Sequence, residues 1–134
     1  LFPHAKTLNM LGSYLAYKKA REAGAYDALL LNARGEAIEG SRTNFFCIRG
    51  TTIISAPEEE ILLGVTRAHV LAVAVDNGYS LETRAMTPAD VFAADGAFIT
   101  STSSSVLPVS SIDGTPLAIP PALRELMRLC TDLS

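Results

Sequence analysis

Short apolar runs separated by small and polar residues set the rhythm of this chain. Residues 26–32 (YDALLLN) and 44–48 (NFFCI) are nearly continuous apolar stretches and read as strands. Residues 51–55 (TTIIS) are rich in β-branched side chains and predict another. Turns at 33–36 and at Arg49 and Gly50 join them, so residues 26–55 read as an antiparallel meander. Between the first two runs, residues 37–46 (AIEGSRTNFF) carry one carboxylate, Glu39, followed by Gly40 and Ser41. A charge placed between apolar strands must reach water or meet a cationic or protonated partner, because burying it alone is costly. Taken alone, this stretch is satisfied by a hairpin rim with Glu39 in solvent.

Helical spacing appears on either side of the meander. Residues 1–8 read as the end of a strand or an entering loop, and Asn9 can cap a helix over 10–23. That helix carries Leu11, Tyr14 and Leu15 on one face, late basic residues suited to its dipole, and Gly24 as its stop. The acidic run Glu58, Glu59 and Glu60 reads as a solvated loop. Residues 64–77 predict a second, well-buried helix ended by Gly78, and 79–86 alternate as a strand. Thr87 caps a short helix over 88–93, with proline at its first position. Strands at 96–100 and 106–112 flank the hydroxyl-rich link 101–105, and Asp113 with Gly114 marks a turn. A helix over 120–133 closes the chain. This irregular interleaving predicts an α/β or α+β domain with a mixed sheet.

Composition narrows the field. The chain has 134 residues, 49% apolar and 19% charged, enough for one domain with a real core. The net charge of −3 and the scattered lysines and arginines argue against nucleic acid as a partner. No apolar run approaches membrane-spanning length, and the opening residues predict no signal peptide. Cys47 and Cys130 are too few for a disulfide framework, and Cys47 reads as core. His4 and His69 lack partners at metal-ligand spacing, so no metal site is expected. Together these features point to a cytoplasmic protein.

Four segments in order change the reading of Glu39. KTLNML (6–11), EGSRTNFF (39–46), LGVTR (63–67) and ADGAFITSTSSSVLPV (94–109), followed by Ile112, Asp113 and Gly114, resemble the class IV pyridoxal-phosphate-dependent aminotransferases. That family includes branched-chain and D-amino acid aminotransferases and aminodeoxychorismate lyases. The resemblance implies a largely antiparallel sheet curled into a pseudo-barrel with outer helices, like the large domain of D-amino acid aminotransferase. It implies that residues 1–134 are the C-terminal cofactor-binding domain, with the N-terminal domain absent from the chain.

The resemblance also implies roles for single residues. Lys6, which alone reads as a surface lysine, becomes the lysine that forms the Schiff base with pyridoxal 5'-phosphate. Glu39 becomes the carboxylate that keeps the pyridine nitrogen protonated, which makes the ring an electron sink. Asn44 supports that wall. Gly64, Val65 and Thr66 open a helix whose N-terminus suits a phosphate, where the bland reading is an ordinary Thr cap. Thr102 adds a second phosphate contact, where the bland reading is a polar turn. Arg42 is a rim charge or a binder of substrate carboxylate. Met10 stands where branched-chain aminotransferases usually carry Tyr, which fits the D-amino acid or lyase branches better.

The implied activity is transfer of an amino group between an amino acid or amine and a 2-oxo acid, by a homodimer. The alternatives are a lyase-type β-elimination on the same cofactor wall, or a non-catalytic fragment that keeps the fold. With Lys6 only five residues in, the chain alone is expected to bind cofactor weakly and not to turn over.

Overall fold

A computed structural model of the chain describes residues 4–9, 18, 21–22, 24–40, 43–61, 63–101 and 105–131, with backbone alone at 4 and 6–9. Among these residues, ten strands form one sheet. They are β1 (His4–Asn9), β2 (Asp27–Leu31), β3 (Ala37–Gly40), β4 (Asn44–Arg49), β5 (Thr52–Ser55), β6 (Ser80–Thr83), β7 (Gly96–Thr100), β8 (Leu107–Pro108), β9 (Ser111–Ile112) and β10 (Thr115–Pro116). The helices are α1 (Val65–Asp76), α2 (Pro88–Ala93) and α3 (Pro121–Thr131), with a 3-10 turn at Glu58–Glu60. Most of the predicted helix over 10–23 lies outside the described residues; Lys18, Arg21 and Glu22 are helical, and Asn9 belongs to β1.

The predicted meander is present. β2, β3, β4 and β5 pair antiparallel in sequence order. The segment Ala37–Gly40, read only as a link, is a strand in its own right. β4 then pairs along its other edge with β7, from Asn44↔Thr100 to Ile48↔Gly96. β1 pairs parallel with both β2 and β9, and β5 pairs parallel with β6.

These ladders close a ring. The order β9-β1-β2-β3-β4 continues through β7 to β8, and only Val109 and Ser110 separate β8 from β9 along the chain. Val109 N–H donates to Ala97 O at 2.9 Å and Asp113 N–H to Ala5 O at 2.9 Å, which stitches the seam. The segment 106–112, predicted as one strand, is therefore two short strands on either side of a crossing. The interior of the ring is a single apolar cluster that includes Leu29, Ala37, Phe45, Cys47, Ile54, Ala97, Ile99, Val109 and Ile112.

Strand alternation sends the next residues outward. Phe46, Ile48, Ile53 and Phe98 join Val70 and Ala74 of α1 and Leu123, Leu126 and Cys130 of α3 in an outer cluster. Phe46 and Phe98 stack with centroids 4.9 Å apart. A third cluster joins Ala28, Leu30, Ile38 and Ala56. Burial pushes the Cys47 thiol up to about 12, so it is an inert core residue.

α1 ends in a Schellman arrangement: Tyr79 N–H donates to Ala74 O, Gly78 N–H to Val75 O, and Gly78 takes φ 90°. The helix is less buried than its apolar sequence predicts. Arg67, Val70 and Ala74 are buried, whereas Val65 and Val75 face outward. Likewise β6 is exposed along its length, because it is an edge strand covered by nothing on its far side among the described residues. The α2 cap is as predicted, with Thr87 Oγ1 accepting from Asp90 N–H and Asp90 Oδ2 accepting from Thr87 N–H. Glu60 is not simply solvated: it accepts from Arg34 Nη2 at 2.7 Å and Asn32 Nδ2 at 3.1 Å, which pins the 3-10 turn to the β2–β3 hairpin.

Gly96 marks where the C-terminal segment crosses the sheet. A Cβ there would lie 2.7 Å from Pro120 Cδ and 3.0 Å from Ala118 O. Gly96→Ala is expected to lower stability by about 1–3 kcal/mol through overpacking, read as a lower urea midpoint at unchanged m-value. An unchanged midpoint would show that this crossing yields freely.

Candidate functional site

The backbone register gathers the sequence-predicted residues at one end of the ring. Lys6 stands opposite Ala28 in the β1–β2 ladder. Two positions along β2, Leu30 stands opposite Glu39, Glu39 opposite Asn44, and Asn44 opposite Thr100. Lys6 and Glu39 are thus two strands apart, about 10 Å across the sheet. Residues far apart in sequence become neighbours because β2, β3 and β4 form the meander and β1 returns parallel to its first strand.

Glu39 is half-buried, not on a solvated rim, and Asn44 is buried. The Asn44 side chain reaches the next layer. Its Oδ1 lies 3.0 Å from where a Cβ on Gly64 would sit, so a larger residue there would require the Asn44 side chain to give by a few tenths of an ångström. Gly64 is the N-cap of α1, in extended conformation, and no side chain caps it. No acidic residue stands in the first turn. The amides of that turn and the positive end of the helix dipole are left for an anion. Val65 is exposed at this turn and Thr66 is half-buried. Arg42, Thr102 and Met10 lie outside the described residues.

Three residues were missed in the sequence. Asp27 was read as part of an apolar strand, yet it is a carboxylate buried to 4% exposure. Its Oδ1 accepts from Ala28 N–H at 2.7 Å and its Oδ2 from the Thr43 hydroxyl at 3.2 Å. An acid inside an apolar run was the available signal. Arg67 lies within LGVTR, and a buried arginine in a largely apolar helix is the second. Thr100 ended a strand; nothing in its sequence context separates it from its hydroxyl-bearing neighbours. Beneath this corner the ring encloses a cavity of about 20 Å3, lined by Ala5, Asp27, Leu29, Phe45 and Ile99 among others. It has room for a water.

Among the described residues there is no cluster of metal-ligating side chains, and no helix is long and apolar enough to cross a membrane.

The family described as amino-transferase class IV matches residues 1–112. The chain is 38% identical over 110 residues to D-alanine aminotransferase of Bacillus licheniformis, covering 81% of this chain and 38% of that protein. It is 36% identical over 115 residues to a putative branched-chain-amino-acid aminotransferase of Methanocaldococcus jannaschii, covering 85% and 40%. The crystal structure of a branched-chain aminotransferase from the thermophilic archaeon Thermoproteus uzoniensis with norvaline superposes with a TM-score of 0.87 at 29% identity, covering 95% of this chain and 49% of that one. The chain therefore spans about two-fifths of the curated relatives named here.

Gly40 follows Glu39 directly and is held against β2 and the turn at Thr43. A Cβ there would overlap Thr43 Oγ1 and lie 2.8 Å from Asp27 Oδ2. Gly40→Ala is expected to separate the buried Asp27 carboxylate from the Thr43 hydroxyl, at a cost of about 2–4 kcal/mol. Chemical denaturation reads the loss; a change below about 0.5 kcal/mol would show that the corner is soft.

Proposed function

This chain belongs to the amino-transferase class IV family, and from that premise we propose that it is the pyridoxal-phosphate-holding domain of an enzyme that moves an amino group between an amino acid or amine and a 2-oxo acid. The observation that carries the reading is the register that sets Lys6, Glu39 and Asn44 within four successive strands, β1 to β4, with Asn44 near the uncapped start of α1. The residues present suit the cofactor. A helix start with free amides and a hydroxyl at Thr66 suits its phosphate, and a half-buried carboxylate suits a protonated ring nitrogen.

Pyridoxal phosphate supplies an aldehyde carbon that takes up amines and a ring that draws electrons from the substrate Cα. Lys6 would hold the cofactor through its amine, and that amine is the group that would carry a proton to and from the substrate Cα. Glu39 holds the proton on the ring nitrogen. Asn44 keeps the β3–β4 wall against Gly64. Gly64, Val65 and Thr66, with Thr102, hold the phosphate, and Arg42 takes the substrate carboxylate. The relatives named above are D-alanine and branched-chain aminotransferases, which supports transamination over elimination. A homodimer in the cytoplasm completes the proposal. Two buried free thiols, Cys47 and Cys130, are compatible with a reducing compartment.

Borohydride reduction of the cofactor-loaded full-length protein, followed by peptide mapping, is expected to place the pyridoxyl label on Lys6. A label on Lys18 or Lys19 would overturn the assignment. Glu39→Gln keeps the shape and removes the charge; transamination is expected to fall about 100-fold or more, as when a buried stabiliser of developing charge is lost. Turnover within a few-fold of the parent would remove Glu39 from this role.

A further inference from the structure

Outside the ring, β5 and β6 continue the sheet from β4, and β6 is the last strand of that run. Its pairing with β5 is parallel, from Thr52↔Ser80 to Ser55↔Thr83. Ser80 N–H donates to Thr51 O at 3.0 Å and Arg84 N–H to Ser55 O at 2.9 Å. Successive residues of a strand turn their backbone groups to opposite edges. Those of Ser80, Glu82 and Arg84 therefore face β5, and those of Leu81 and Thr83 face away. Among the described residues no strand pairs with that outer edge. An open edge of this kind accepts another strand.

The side chains narrow down which strand. Leu81 stands opposite Ile53, on the face where Val70 and Ala74 of α1 pack, yet it is 45% exposed. Val75, near the end of α1, is 52% exposed. On the other face, Glu82 Oε2 and Arg84 Nε lie 3.4 Å apart, both partly open to solvent. Charges on an edge repel most strands, but their order here admits one partner. Two identical edges related by a two-fold axis pair antiparallel, each meeting the same surface of the other. Centred on Glu82, that pairing sets two carboxylates against each other. Centred on Leu81, it sets Glu82 opposite Ser80 and leaves the charges unmatched. Centred on Thr83, it sets Glu82 opposite Arg84 twice over, and Leu81 opposite the exposed Ala85. Thr83 is also a residue whose free N–H and C=O can exchange two hydrogen bonds with its own copy.

We propose that the outer edge of β6 is an interface with a second copy of this chain, paired antiparallel about Thr83 over residues 81–85. The alternating charges give specificity: they admit this edge in this register and turn away strands without the complementary order. The pairing is short, so the association is a reversible one that adds to whatever other contacts the full-length protein makes. It is independent of the cofactor reading.

The test is sedimentation velocity on the full-length polypeptide over about 1–100 µM. The parent is expected to show a concentration-dependent doubling of mass. Thr83→Pro removes an N–H that β5 does not use, so the strand tolerates it, and it is expected to abolish the doubling. Should that variant fail to fold, Leu81→Lys places a charge on the same edge and is read in the same way. Glu82→Lys and Arg84→Glu are each expected to weaken the association about 10-fold or more, because like charges then face each other in both symmetry-related pairs. An equimolar mixture of the two variants is expected to associate as the parent does, since each supplies the sign that the other lacks. A parent whose mass matches that of Thr83→Pro at every concentration overturns the proposal. So does a mixture that stays as dissociated as its two components, which would exclude this register.

Discussion

A strand has two edges, and β4 serves three neighbours with them. One edge is shared between β3 at Asn44 and β5 at Cys47 to Arg49, and the other runs the whole way along β7. Residues Asn44 to Ile48 are all buried in consequence. Alternation then decides everything above and below: Phe45 and Cys47 enter the ring, while Phe46 and Ile48 meet α1 and α3. Asn44 is the residue where the three-way junction begins. Its side chain also lies close to Gly64, where the start of α1 comes near the sheet.

This junction explains why so much polarity gathers at one end. At the Arg49 end of β4 the strands run out into turns and solvent. At the Asn44 end, β3 stops at Gly40, β7 stops at Thr100 and α1 has yet to begin, so the strand ladders and the helix leave polar groups to be satisfied by other means. Asp27 with Thr43 meets that need internally. Among the described residues, Arg67 Nε and Thr100 Oγ1 do not. Each unsatisfied buried group of this kind costs about 1–3 kcal/mol.

The sequence was most legible where periodicity and chain order agree. The β2 to β5 meander, the span of α1, the capping box of α2 and the Gly78 stop are all local, and each followed from spacing or from a single turn residue. What it did not reveal depends on partners remote in sequence. β3 is only four residues and becomes a strand through β2 and β4. The break at Val109 and Ser110 exists because the chain must cross from β7 to β1. Val75 and Leu81 are exposed because their elements lie at the margin of the sheet, which hydropathy cannot express. At the site, Glu39 was singled out from its place between apolar runs. Asp27 was not, because its partner Thr43 is sixteen residues away.

The seam at Val109 and Ser110 also bears on the order in which the molecule can assemble. β2 to β5 contact one another over short loops and can form early, whereas β1 is flanked by β2 on one side and by β9 on the other, with His4 opposite Ser111. More than a hundred residues of chain separate that last pair, so loop-closure entropy delays it. During synthesis, the strand that carries Lys6 emerges before the rest of the sheet and waits with one edge open until Ser111 and Ile112 have left the ribosome. Until then, that edge is available to another nascent chain, and the closing of the seam is the step that removes the hazard.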